Sequence, residues 1–157
     1  NGTRTLDING FVEDLYQTAL APGEMITGVR FDKPGPGSGG AYCAFKRCAP
    51  AYPTTSVGVQ LALEGGKVRS ARVALGSSGL TPIRARDAEQ ELTGQAPTDA
   101  VIRKAAAAAV AASDPVNDQR GSPASKRRLI DTLTRRAVGI ALRRAAGETV
   151  KNSHEYY

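Results

Sequence analysis

From Ser56 to Leu75 the chain alternates with a period of two. Val57, Val59, Leu61 and Leu63 share one face, and Ser56, Gly58, Gln60, Ala62 and Glu64 share the other. This is the pattern of a half-buried strand. Gly65-Gly66 follows, and a glycine pair accepts the positive φ angles of a two-residue hairpin turn. Val68 to Leu75 runs back with Ala71, Val73 and Leu75 on one face. A lone hairpin is marginal in water, so a third strand and a helical cover are required. Ala41 to Arg47 supplies the strand, setting Ala41, Cys43 and Phe45 against Tyr42, Ala44 and Lys46. The Cys48–Thr55 stretch contains Pro50 and Pro53 and reads as a loop.

Upstream the pattern predicts a short strand at Thr3–Ile8, one or two helical turns between Asn9 and Leu20, and a strand at Met25–Phe31. Lys33 to Gly40 (KPGPGSGG) is the sharpest break and reads as a linker or mobile loop. Its glycines do not follow a buried parallel strand, so a phosphate cradle is disfavoured.

Downstream the period lengthens. Pro82–Leu92 reads as a short helix stopped by Gly94. Thr98 caps a second helix over Asp99–Ser113, whose alanine run permits close approach to a sheet. Asp114-Pro115 ends it, because the residue before proline is driven out of the α region. Ser122-Pro123 begins a last helix to about Ala146, with Leu129, Leu133, Ala137, Ile140 and Ala141 as its apolar stripe. Glu148–Tyr157 reads as a loose tail. The fold class is therefore α+β: a three-stranded antiparallel sheet covered by about three helices.

At 157 residues, 41% hydrophobic and 23% charged, the chain has the size and composition of an ordinary globular domain. No apolar run approaches the roughly 20 residues that span a bilayer. The first residue is Asn1, which leads us to expect a piece of a longer protein. Two cysteines, Cys43 and Cys48, make no disulfide framework, and the single His154 leaves neither a metal site nor a His-based catalytic set. The net charge of +6 gathers on the last helix, at Lys126, Arg127, Arg128, Arg135, Arg136, Arg143 and Arg144. Without interleaved aromatics, this reads first as a solvated face, next as a subunit contact, and last as a nucleic-acid surface. Asp114 and Asp118 flank a turn and read as backbone caps. On residues alone, the domain carries no catalytic residues and no metal ligands.

Several segments together resemble one family. They are Tyr16-x-Thr18-Ala19-Leu20-x-Pro22-Gly23-Glu24, Gly40-Ala41-Tyr42-x-x-Phe45-Lys46-Arg47, the run from Gly65 through Gly76 continuing into Thr81-Pro82-Ile83-Arg84-Ala85, Asp114-Pro115-x-x-Asp118-x-Arg120-Gly121-Ser122, and Arg127-Arg128 ahead of Arg135-Arg136-Ala137. Their order and spacing resemble the C-terminal portion of the FAD-binding medium subunit of molybdenum hydroxylases, of the carbon monoxide dehydrogenase and xanthine dehydrogenase type. The resemblance implies that residues 1–32 are the end of an FAD-binding domain of the p-cresol methylhydroxylase type. Residues 33–40 would be a linker, 41–146 the family's C-terminal domain, and 147–157 a tail. It implies FAD, held mostly by a portion upstream of this chain. It implies partners too: an iron–sulfur small subunit and a large subunit with the molybdenum cofactor, in a cytoplasmic oxidoreductase complex. Two residues carry over by position. Lys46 matches a lysine near the flavin, and Tyr52 falls where some members place an aromatic over the isoalloxazine ring. A cation tunes charge on a reduced flavin and a stacked ring limits solvent access. Two rival readings are a stand-alone interaction domain of the same fold without flavin, and a basic nucleic-acid-binding domain.

Overall fold

The computed structural model describes residues 2–46, 48 and 51–151. Its centre is an antiparallel sheet in the order β3-β4-β5-β6: Ser38–Phe45, Thr55–Glu64, Lys67–Gly76 and Ile83–Arg84. The alternating run forms β4 and β5: Glu64 lies opposite Lys67 at the turn, and a register shift between Ala62 and Leu63 then sets Val57 opposite Leu75 and Val59 opposite Val73. Gly65 and Gly66 turn the hairpin at φ +56° and +76°, the left-handed values that favour glycine.

The sheet has four strands rather than three. β6 pairs Ala74 with Arg84 and Leu75 with Ile83. Two residues after a proline are too few to show a period, so Ile83–Arg84 read as helix; α1 itself spans Arg86–Leu92. Where β6 stops, a helix side chain continues the pairing. Glu89 Oε1 accepts from the Val73 amide at 3.0 Å and from Arg84 Nε at 2.8 Å, while Oε2 accepts from Arg84 Nη2 at 2.9 Å. Burial alone would raise the Glu89 carboxyl. The Arg84 guanidinium and the Val73 amide outweigh it and hold the group below the ordinary glutamate value.

Helices α2 (Asp99–Ala112) and α3 (Pro123–Ala145) start on the predicted caps: Thr98 Oγ1 accepts from Val101 N, and Ser122 Oγ from Ser125 N. One sheet face is covered. Ala41, Cys43, Val57, Val59, Leu61, Ala71, Val73 and Leu75 pack against Ala105, Ala109, Ile130, Ala137, Val138 and Ala141. The buried face of α3 is Lys126, Ile130, Leu133, Thr134, Ala137, Val138 and Ala141. It is rotated from the expected stripe, so that Leu129 and Ile140 are only half-buried. Lys126, expected on the solvated face, is inside.

The stretch read as a linker ends in structure. Ser38, Gly39 and Gly40 pair with Ala62, Leu61 and Gln60. A Cβ at Gly39 would lie 2.5 Å from the Ala145 amide nitrogen and closer still to Ala141 O, so composition there reflects helix–sheet contact rather than flexibility. The N-terminal expectations fail in detail. Ile8–Gly10 is a 3-10 turn, Val12–Asp14 (β1) and Gln17–Thr18 (β2) form a small hairpin, and neither residues 3–8 nor 25–31 form a strand. A strand needs a neighbour, and these residues find none among those described. The read tail is partly tied down: Arg143 Nε bonds Glu148 at 2.7 Å and Arg144 Nη2 bonds Val150 O at 2.6 Å.

Gly39→Ala is expected to destabilise the fold by about 3 kcal/mol, at the upper end for overpacking. Gly139→Ala, whose Cβ meets open space on α3, should stabilise it by roughly 0.5–1 kcal/mol. Denaturant titration of both variants checks the contrast. Thr134 Oγ1 is buried with no partner among the described residues, so Thr134→Val should stabilise by about 1 kcal/mol in the same assay.

The Glu89 pair predicts a pH dependence. Its folded pKa is depressed, so its contribution is fully present above the unfolded glutamate value of about 4.3 and lost as pH falls through the folded value. Glu89→Gln should flatten the acid limb of a melting-temperature profile.

Candidate functional site

Three loops gather at one end of the sheet: that between β3 and β4, that between β5 and β6, and the segment from Ser113 to Gly121 between α2 and α3. The first is closed at its base by Thr54 N donating to Phe45 O at 2.8 Å. Lys46 sits half-buried at the mouth, one residue beyond β3. Tyr52 is 79% exposed. The structure therefore puts both predicted residues on one loop. The strand expected to run to Arg47 ends at Phe45, which leaves Lys46 outside it. Arg47, and Ala49 and Pro50 of the expected loop, lie outside the described residues, as does His154.

Buried hydroxyls bring the third loop alongside. Thr55 and Ser78 share a hydrogen bond of 2.7 Å between their Oγ atoms, and Asp114 N donates to Ser78 O at 2.8 Å. Further along, Lys126 Nζ donates to Val116 O at 2.7 Å and meets Asp118 Oδ1 at 2.9 Å. The Lys126 side chain is 3% exposed. Asp118 does cap the backbone as expected, accepting from Arg120 N at 2.8 Å. Its carboxyl is held below the usual aspartate value, first by Lys126 and then by the Arg120 amide. Arg120 Cζ stands 6.0 Å from the centroid of the Tyr52 ring, within cation–π range.

Arg120 and Lys126 were not singled out as site residues by their sequence. The one sign for Arg120 was its place in a matching segment, and Lys126 was read only as part of the basic helix, because their partners lie 68 and 8–10 residues away and no local period reports them. Cys43 is buried and its thiol is pushed up by that burial, which disfavours the reactive thiolate. Among the described residues no cluster of His, Cys, Asp or Glu could hold a metal.

Two surface depressions lie elsewhere. One, about 660 Å³, is on the uncovered sheet face between Tyr42, Gly58, Gln60, Arg72, Ala74 and Arg144. Arg144 Nη1 there donates to Gly40 O at 2.6 Å and caps the edge strand. The other, about 560 Å³, runs between α2 and α3 beside Arg127, Arg128, Asp131 and Arg135. The basic helix is partly self-neutralised, Arg135 pairing with Asp131 and Arg143 with Glu148.

The sequence profile of the CO dehydrogenase flavoprotein C-terminal domain matches residues 40–141. The chain belongs to this family. It is 34% identical over 144 residues to the carbon monoxide dehydrogenase medium chain of Afipia carboxidovorans, covering 92% of this chain and 50% of that one. It is 31% identical over 145 residues to the alpha subunit of the 6-hydroxypseudooxynicotine dehydrogenase complex of Paenarthrobacter nicotinovorans, covering 92% of this chain and 49% of the relative. The structure of a carbon monoxide dehydrogenase from Hydrogenophaga pseudoflava, lacking the Mo-pyranopterin moiety of its molybdenum cofactor, superposes with a TM-score of 0.85 at 32% identity, over 87% of this chain and 47% of the other. The chain thus spans about half the length of the relatives it matches.

Lys126→Met should cost roughly 1–3 kcal/mol by leaving the Val116 carbonyl without its charge-assisted partner. Limited proteolysis should then cut first within residues 114–121, with α2 and α3 intact on either side.

Proposed function

We propose that this chain is the C-terminal half of the FAD-binding medium subunit of a molybdenum hydroxylase. The match to carbon monoxide dehydrogenase medium chains, over nearly all of this chain and half of theirs, carries the proposal. The exposed apolar side chains of the N-terminal stretch support it. Ile8, Leu15, Met25, Ile26, Val29 and Phe31 all face solvent, with Met25 77% and Phe31 86% exposed. Apolar surface gathered on so short a stretch marks a contact with another domain or subunit. Residues 1–32 are accordingly read as the end of the flavin-binding domain.

The residues at the sheet end have the chemistry a flavin pocket needs: a cation at Lys46 and an outward-facing ring at Tyr52. FAD, when bound, supplies redox chemistry that no side chain of this domain has. In this reading its electrons come from iron–sulfur clusters on a small subunit, fed by a molybdenum cofactor on a large one. The Lys46 ammonium favours negative charge placed beside it. The Tyr52 ring presents a flat apolar face that excludes water from one side of the pocket. Neither residue selects the substrate, which is met in the large subunit. In this reading the complex is cytoplasmic. Separately, no helix of the described residues is long and apolar enough to cross a membrane.

The absorption spectrum of the complex that co-purifies with this chain tests the assignment. Flavin and iron–sulfur bands with additional subunits are expected, and a colourless single chain would overturn it. In that complex Lys46→Ala and Tyr52→Ala should each shift the flavin midpoint potential and reoxidation rate while the melting temperature holds. Unchanged values in both variants would remove these residues from the site.

A further inference from the structure

The geometry points to Arg120 as the residue that positions Tyr52, its guanidinium holding the ring in place as a wall of the flavin pocket. This rests on reading Tyr52 as flavin-facing. An exposed tyrosine on a proline-bounded loop has several rotamers open to it. The ring contact found among the described residues is the Arg120 guanidinium, 6.0 Å from the centroid. Arginine suits the role because its flat, weakly hydrated cation stacks on an aromatic face.

Arg120 can hold the ring only if it is itself held, and a chain of contacts does this. Asp118 and Gly121 form an antiparallel bridge, Gly121 N donating to Asp118 O at 3.0 Å and Asp118 N to Gly121 O at 3.4 Å, which puts Arg120 in the turn between them. Asp118 Oδ1 takes the Arg120 amide at 2.8 Å, and Asp118 Oδ2 stands 4.0 Å from Arg120 Nη1. Lys126, buried in the first turn of α3, fixes Asp118 at 2.9 Å and Val116 O at 2.7 Å. The ring is therefore referenced to a helix terminus in the core, through Lys126, Asp118 and Arg120 in turn. Lys46, one residue beyond β3, takes no part in this relay, so the two candidate flavin contacts are positioned by different means.

The experiment uses the full-length subunit in its complex, with Arg120→Ala, Arg120→Lys, Tyr52→Leu and the Arg120→Ala/Tyr52→Leu double variant. Two quantities are read: the flavin midpoint potential, and the nitration rate of Tyr52 measured by peptide mass. Melting temperature and FAD content verify that each variant is assembled. Losing an exposed cation–π contact should raise Tyr52 nitration roughly 2- to 5-fold in Arg120→Ala. Arg120→Lys, which keeps the charge but not the flat stack, should restore only part of the protection. The potential should shift in Arg120→Ala in the same direction as in Tyr52→Leu, and the double variant should shift no further than Tyr52→Leu alone.

An unchanged nitration rate would overturn the proposal. So would additive shifts, because a cation acting on the flavin directly does not need the ring. If nitration rises but Tyr52→Leu leaves the potential unchanged, the Arg120–Tyr52 contact stands and the flavin reading of Tyr52 falls. If Tyr52→Leu shifts the potential and Arg120→Ala moves neither quantity, the flavin reading stands and Arg120 is discarded.

Discussion

At Gly39 the backbone of β3 comes so near the last turns of α3 that no side chain fits between them. Dispersion falls off within ångströms, so close backbone approach is where packing contributes most per residue. The small residues facing that contact, Ala137 and Ala141 on α3 and Ala41 on β3, are all buried. This contact fixes the C-terminal end of α3 against the start of β3. The rigid helix then sets its N-terminus, with Ser122 and Lys126, at the opposite end of the sheet, beside the loops. The candidate site thus inherits its position from a steric constraint at the far end of the same helix.

Charge performs a second kind of positioning. Glu89 and Lys126 are both nearly buried, and each is satisfied by a backbone group as well as by an opposite charge. A buried charge left unpaired is costly, so the backbone partner must be in place whenever the fold forms. In one case the result is a strand edge completed by a helix side chain. In the other it is a loop fastened to a helix start. Neither is a surface ion pair of the kind that contributes little.

The covered sheet face and the N-terminal stretch differ in what they require. The helices that cover β4 and β5 start at Arg86, Asp99 and Pro123, all within this chain, so the periodicity of the two strands was enough to find them. Residues 3–8 and 25–31 carry an apolar pattern too, but the surface that would satisfy it is not among the described residues. The pattern therefore reported a demand for burial and not a strand. The same logic explains the misreading of Ser38–Gly40: glycine marks either freedom or tight contact, and only the neighbour distinguishes them.

Local sequence determined the hairpin and its turn, the three helices with their Thr98 and Ser122 caps, and the nearness of Lys46 and Tyr52 at one end of the third strand, because each depends on periodicity, capping or adjacency over a few residues. The matching segments also carried the family, since order and spacing survive in the chain itself. Only the tertiary structure decided that β6 joins the sheet, that Lys126 turns inward, that the buried stripe of α3 is rotated, and that Arg120 meets Tyr52. Each of those joins groups that local pattern does not relate, and their pairing is settled by which buried charges and backbone groups must be satisfied once the helices have packed.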